Sequence, residues 1–299
     1  MFTGCGTALV TPFRRDLSLD EATLRKLVRR QIDAGINFLV PCGTTGESPT
    51  LTHAEHLRVV EITLEEAKGS HVPVLAGAGG YNTREVVELA RELEQMGADG
   101  ILSVTPYYNK PTPEGLYQHY QAVAAATRLP IIVYSIQGRT RINVEPATLA
   151  RLAEIQNIAG VKEASGNIAQ MANILHLLPP DFTVLCGDDA ITIPLMALGG
   201  RGVVSVVANQ IPAEMTQLAQ ACLKGNFAAA RQIQAKYLPL MNVNFIESNP
   251  IPVKAGMALM GLLEPVYRLP MCPPGDASLA RIEKVLDSAG LLRGVRVAG

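Results

Sequence analysis

The chain has 299 residues, 48% of them hydrophobic and 18% charged, with a formal net charge of −1. That is ample apolar material for a large core, and the balanced charge leaves no footprint for nucleic acid or another polyanion. No segment reads as a membrane span, the start MFTGCGTALVTPFRR lacks the basic n-region of a signal peptide, and the expected location is the cytoplasm.

In chain order, the first strand is expected at GTALVTP (6–12). A helix follows over 20–34, where Leu24, Leu27, Val28 and Ile32 share a face and Gly35 is a stop. INFLVPCGT (36–44) reads as the second strand, and Thr52 and Glu55 stand at capping-box spacing at the head of a helix over 52–68. VPVLAGAG (72–79) leads to a helix over 83–96 that Gly97 closes, and GILSVTP (100–106) to one over 114–127. PIIVYS (130–135) precedes a helix over 145–156, with Pro146 in its first turn. IAGVKEAS (158–165), FTVLCGDD (182–189) and GVVSVVAN (202–209) are followed by helical patterns at 167–178, 190–198 and 212–224. Near-continuous apolar runs of this kind are strands covered on both faces, as in a parallel sheet.

Eight βα units in succession predict an α/β fold, a closed (β/α)8 TIM barrel. The alternative, an open doubly wound sheet, wants a glycine-rich nucleotide loop after the first strand, which ends instead in Thr11-Pro12-Phe13. Beyond the eighth unit only helices are expected, at 226–242, 250–262 and 276–290, with breakers at Gly225, Asn249-Pro250 and Pro270 to Gly275. The expected division is a catalytic barrel over 1–224 and a C-terminal helical region over 225–299. The five cysteines (Cys5, Cys42, Cys186, Cys222 and Cys272) are odd in number with no CxxC pair, and read as buried reduced thiols.

A barrel of this type carries its active site at the C-terminal strand ends. Those ends hold hydroxyls, glycines and one lysine, Lys162. It reads either as a charge snorkelling out of a strand end or as an amine held in low-dielectric surroundings to attack a carbonyl and form a Schiff base. Tyr134 ends the preceding strand, within reach of that amine, as a proton shuttle or as a packing residue with a bonded hydroxyl. Arg139 lies just beyond it, as a bidentate carboxylate clamp or a loop salt bridge. Asp188-Asp189 face opposite ways on an extended strand with no histidine beside them, and His53 and His56 share a helix face without further ligands. No metal site is expected from either pair.

The strings GTTGES (43–48), TPYYNKPTPEGLYQHY (105–120), Tyr134 with GRT (138–140), GVKEASGN (160–167), GDD (187–189), GGRGVVSV (199–206) and NPIPVK (249–254) occur in order along nearly the whole chain. Together they resemble the pyruvate-dependent class I aldolases and lyases, the family of the dihydrodipicolinate synthases and N-acetylneuraminate lyases, and the synthase branch most specifically. The resemblance implies a Schiff-base condensation of pyruvate with aspartate 4-semialdehyde, in lysine and diaminopimelate biosynthesis, without metal or organic cofactor. It implies Lys162 as the imine former, Tyr134 as proton shuttle and Thr44 linking it to Tyr108, the last supplied by a neighbouring subunit. Thr45 and the backbone near Val204 would hold pyruvate, Arg139 the carboxylate of the semialdehyde, and Gly187 would line the site. A homotetramer built as a dimer of dimers is implied, and a lysine-binding site at Ser48, His53, His56, Tyr81, Glu85 and Tyr107, where Tyr81 stands in place of a frequent asparagine. The sequence departs from the family at Ser135-Ile136-Gln137, beside Arg139. The arginine discriminates against the branch that acts on sugar-like keto acids, which is the competing reading. A barrel that only senses a keto acid would be expected to have lost Lys162 or Tyr134.

Overall fold

The computed structural model describes residues 2–292; residues 293–299, the end of the expected helical region, lie outside the described residues. Eight parallel strands alternate with helices. The order is β1 (Gly4–Ala8), α1 (Glu21–Asp33), β2 (Phe38–Val40), α2 (His53–Ala67), β3 (Leu75–Gly77), α3 (Thr83–Met96), β4 (Gly100–Val104), α4 (Pro113–Ala125) and β5 (Ile131–Ser135). Then come α5 (Gln137–Thr140), α6 (Pro146–Ala153), β6 (Ile158–Glu163), α7 (Ile168–Leu177), β7 (Thr183–Cys186), α8 (Thr192–Ala197), β8 (Gly202–Ser205) and α9 (Pro212–Leu223). Three further helices follow, α10 (Phe227–Val243), α11 (Ile251–Leu259) and α12 (Asp276–Ser288).

The sheet runs β2-β1-β8-β7-β6-β5-β4-β3. A parallel bridge between Leu39 and Val74 joins its two edges, helped by the Leu39 amide donating to the Pro73 carbonyl at 2.9 Å. The edges therefore meet as a TIM barrel, and the C-terminal helices pack beside it.

Local chemistry explains the element boundaries. Thr52 and Glu55 form the full capping box at the start of α2. Gly97 ends α3 in the left-handed region, φ 86, where a side chain would be strained. Pro146 occupies the first turn of α6, where its missing N–H costs nothing. The first strand lies at 4–8 rather than 6–12: the chain leaves the sheet after Ala8, and Phe13 bridges to Leu19 outside it. The short α5 was not expected: Ile136 breaks from β5, and one helical turn then carries Arg139.

Two main apolar layers result, beside a small third cluster of Val10, Leu27, Val206, Val253 and Met257. The larger fills the space between strands and helices, and the smaller, with Phe38, Val40, Leu75, Leu102, Ile132, Tyr134, Leu185 and Val204, fills the barrel itself. Phe2 packs edge-on against Phe38, ring centroids 5.6 Å apart, within that inner layer. Cys5, Cys42, Cys186 and Cys222 are buried and free as expected, but Cys272 is exposed, since it lies in the extended stretch before α12. Among the described residues no helix is long and apolar enough to cross a membrane.

Candidate active site

Strand register places Tyr134 of β5 opposite Lys162 of β6, and Lys162 opposite Leu185 of β7. Residues of one register layer in a barrel point the same way. Tyr134 and Lys162 thus share the interior, and the Lys162 Nζ lies over the Tyr134 ring, 4.0 Å from its centroid. Both are buried, at 5% and 6% exposure.

Two lysines are buried among the described residues, and they differ. Lys254 of α11 is paired with Glu47 at 2.5 Å, both side chains at 1% exposure or less. Lys162 has no carboxylate partner among the described residues. A buried lysine with a counter-charge is held as an ion; one without is held for another reason.

A cleft of about 300 Å3 opens beside Tyr134. Thr44, Tyr134, Ile136, Arg139 and Thr140 line it, together with Ser48, His56 and Tyr107. The structure therefore brings Thr44, Tyr134 and Arg139 to one cavity, with Lys162 directly against Tyr134. Val204 is buried in the inner layer on β8, and Thr45 is buried in the loop after β2. Gly187 follows β7, where a Cβ would stand 2.5 Å from the Ala164 side chain, so only glycine fits. Tyr108 is not in the cleft: it projects outward, 89% exposed, at φ 59. A bulky side chain in the left-handed region marks a strained position.

Ser135, one of the three departures beside Arg139, points away from the cavity. Its hydroxyl accepts the Val144 amide at 3.2 Å and fixes the return of the loop. Gln137 is exposed and opens α5. Arg139 donates through Nη2 to the Asn249 carbonyl at 2.9 Å.

The residues expected around a lysine site are only partly together. Tyr81 and Tyr107 pack edge-on, 5.2 Å between centroids. His56 donates to the Gly77 carbonyl at 2.8 Å, and burial holds its imidazole below the ordinary range. His53 turns instead to Glu92, at 2.9 Å, and Glu85 accepts from Asn82.

The two aspartates follow β7 rather than lying on it, contrary to the extended strand expected. Asp188 caps the Ala190 amide at 2.9 Å. Asp189 turns inward and accepts the Val206 and Val207 amides at 3.0 and 2.9 Å, bracing the end of β8. Burial pushes its carboxyl up to about 6. Among the described residues no three His, Cys, Asp or Glu side chains cluster as a metal site.

Three residues with contacts at this end of the barrel had no assigned role in the sequence reading: Glu47, Asn249 and Lys254. The Asn249 Nδ2 donates to the Thr45 hydroxyl at 3.0 Å, and Lys254 to Glu47 two residues further on. Their signal lay in the strings GTTGES and NPIPVK, and in a lysine set within the apolar run of α11.

The chain as a whole resembles known proteins. The sequence profile of the dihydrodipicolinate synthetase family matches residues 1–289. The chain belongs to that family. A 4-hydroxy-tetrahydrodipicolinate synthase of Koribacter versatilis is 52% identical over 99% of this chain and 98% of the relative. The crystal structure of dihydrodipicolinate synthase from Aquifex aeolicus superposes with a TM-score of 0.95 at 42% identity, over 97% of this chain and 99% of that one. A monomeric dihydrodipicolinate synthase variant has the same TM-score, 0.95, at 44% identity, over 97% of this chain and 98% of its own.

Proposed function

We propose that this chain is a 4-hydroxy-tetrahydrodipicolinate synthase, condensing pyruvate with aspartate 4-semialdehyde through an imine on Lys162. The carrying observation is the buried Lys162 amine, without a carboxylate partner among the described residues and seated on the Tyr134 ring beside a cleft that holds Arg139.

The family resemblance supports the following chemistry at those positions. The amine adds to the keto carbon of pyruvate, water leaves, and the imine draws electrons from the adjacent methyl group. Loss of a methyl proton gives an enamine, whose carbon attacks the aldehyde of the second substrate. The amine of that substrate then attacks the imine carbon, closes the ring and expels Lys162 as free amine. Tyr134 carries the protons, relayed by Thr44. Thr45 and the backbone beside Val204 hold the pyruvate, Gly187 lines the site, and Arg139 clamps the carboxylate of the semialdehyde.

The assembly belongs to the proposal too: a cytoplasmic homotetramer of two tight dimers, in which the outward Tyr108 enters the neighbouring subunit's site. A Tyr108→Phe variant and sedimentation velocity test this together; a fully active monomer contradicts it. Lysine is a weak feedback inhibitor or none, because Tyr81 fills space against Tyr107 and His53 is engaged by Glu92. An inhibition constant in the low-micromolar range contradicts that.

The defining experiment compares turnover of pyruvate with aspartate semialdehyde and with sugar aldehydes. The semialdehyde should be preferred, and Arg139→Ala should damage its turnover far more than it damages imine formation. Equal loss of both removes the role given to the arginine, and preference for a sugar aldehyde moves the chain to the other branch of the family.

A further inference from the structure

Thr45 and Arg139 lie on different βα loops, yet both are bonded to one residue of a third segment. Asn249, 6% exposed, gives its side-chain amide to the Thr45 hydroxyl at 3.0 Å and its main-chain carbonyl to the Arg139 Nη2 at 2.9 Å. The Thr45 hydroxyl has one proton. With the Asn249 amide donating, an orientation that leaves its own Oδ1 buried without a partner, the Thr45 hydroxyl keeps that proton and gives it to no other group among the described residues. Thr45 is itself buried, at 2% exposure. A buried hydroxyl that already accepts one hydrogen bond and has its proton unspent is prepared to donate to an anion.

We propose that Asn249 is a positioning residue that fixes Thr45 as a hydrogen-bond donor to the pyruvate carboxylate. This rests on the reading of Lys162 and Thr45 as the pyruvate site. Asn249 acts through Thr45 and does not touch the reacting atoms. Its two bonds also separate the two substrates. The side chain serves the pyruvate half, whereas the carbonyl that holds Arg139 survives any substitution of the side chain.

The test is a double-mutant cycle on the full-length protein, with initial-rate kinetics for both substrates and borohydride trapping of the pyruvate imine. Asn249→Ala should raise the KM for pyruvate about tenfold, the size of one lost hydrogen bond to a charged group's donor, and change the KM for the semialdehyde by less than about twofold. Asn249→Asp should be worse than Asn249→Ala for pyruvate. A carboxylate only accepts, so it takes the Thr45 proton and turns the hydroxyl away. In a Thr45→Val background, Asn249→Ala should add less than about twofold, and Asn249→Asp there isolates the effect of its charge. Asn249→Asp, being isosteric, also keeps the test open where the alanine variant fails to fold. A near-normal pyruvate KM for Asn249→Asp overturns the proposal, since it means that Thr45 donates to Asn249. Additive effects in the Thr45→Val background overturn it as well. If the wild-type protein traps pyruvate on Lys162 but Asn249→Ala binds pyruvate normally, this inference alone falls. If the wild type traps none, the functional reading falls and takes the inference with it.

Discussion

Tyr134 and Lys162 stand side by side in the β5–β6 register, with the lysine nitrogen 4.0 Å from the centre of the phenol ring. The ring gives the amine a packed, apolar neighbour, while the phenol oxygen is the proton-carrying end. The two parts are separable by substitution. Tyr134→Phe keeps the ring and removes the hydroxyl, so Lys162 should still form the pyruvate imine while kcat falls about a hundredfold. Trapping with borohydride and steady-state kinetics on the same preparation check this. An unchanged kcat removes the tyrosine from the proton path.

The ion pair of Glu47 and Lys254 ties the loop after β2 to α11. Glu47 is held in the left-handed region at φ 54, and its second carboxylate oxygen has no partner. The Lys254 ammonium also lies over the Phe13 ring, 4.5 Å from its centroid. Removing one charge strands the other, so Lys254→Ala should destabilise the fold by about 3–5 kcal/mol. The double variant Glu47→Gln, Lys254→Met should regain most of that loss, because neither charge is then left buried. Urea midpoints for the wild type and both variants decide it; a single variant as stable as the wild type contradicts the account.

Asp189 predicts a pH dependence of stability. Its carboxyl is raised from an ordinary 3.8 to about 6 by burial, against the pull of the two amides it accepts. Between those values the folded state binds a proton that the unfolded state has released. Stability therefore falls as pH rises through that window, with a slope of at most about 1.4 kcal/mol per pH unit from this group, and is level above it. Asp189→Asn keeps an acceptor for the β8 amides and cannot ionise. The stability difference between variant and wild type should grow in the variant's favour from about pH 4 to about pH 6. A difference that stays constant across that range assigns the titration elsewhere.

Much of this molecule was legible in its sequence, for local reasons. The capping pair Thr52 and Glu55, the stop at Gly97 and the first-turn Pro146 each act within one helical turn, and each delimits a helix as read. Tyr134 and Lys162 were placed as neighbours because consecutive strands of a βα repeat are adjacent in the barrel. What was missed is of another kind. Asn249 meets Thr45 across 204 residues and Lys254 meets Glu47 across 207, and no local pattern encodes either contact. Such pairs exist only once the barrel has closed and α11 has docked at its mouth. The inward turn of Asp189 was missed for a similar reason: its amide partners, Val206 and Val207, follow β8 and are not on its own strand. The one-turn α5 was too short to leave a periodic signal.

The account stands on Lys162 as the imine-forming residue, and peptide mapping after treatment with pyruvate and borohydride tests that most directly. The prediction is a reduced pyruvate adduct on the peptide that contains Lys162, dependent on both reagents and absent from Lys162→Ala. An adduct on another lysine, or none on the wild-type protein, contradicts it.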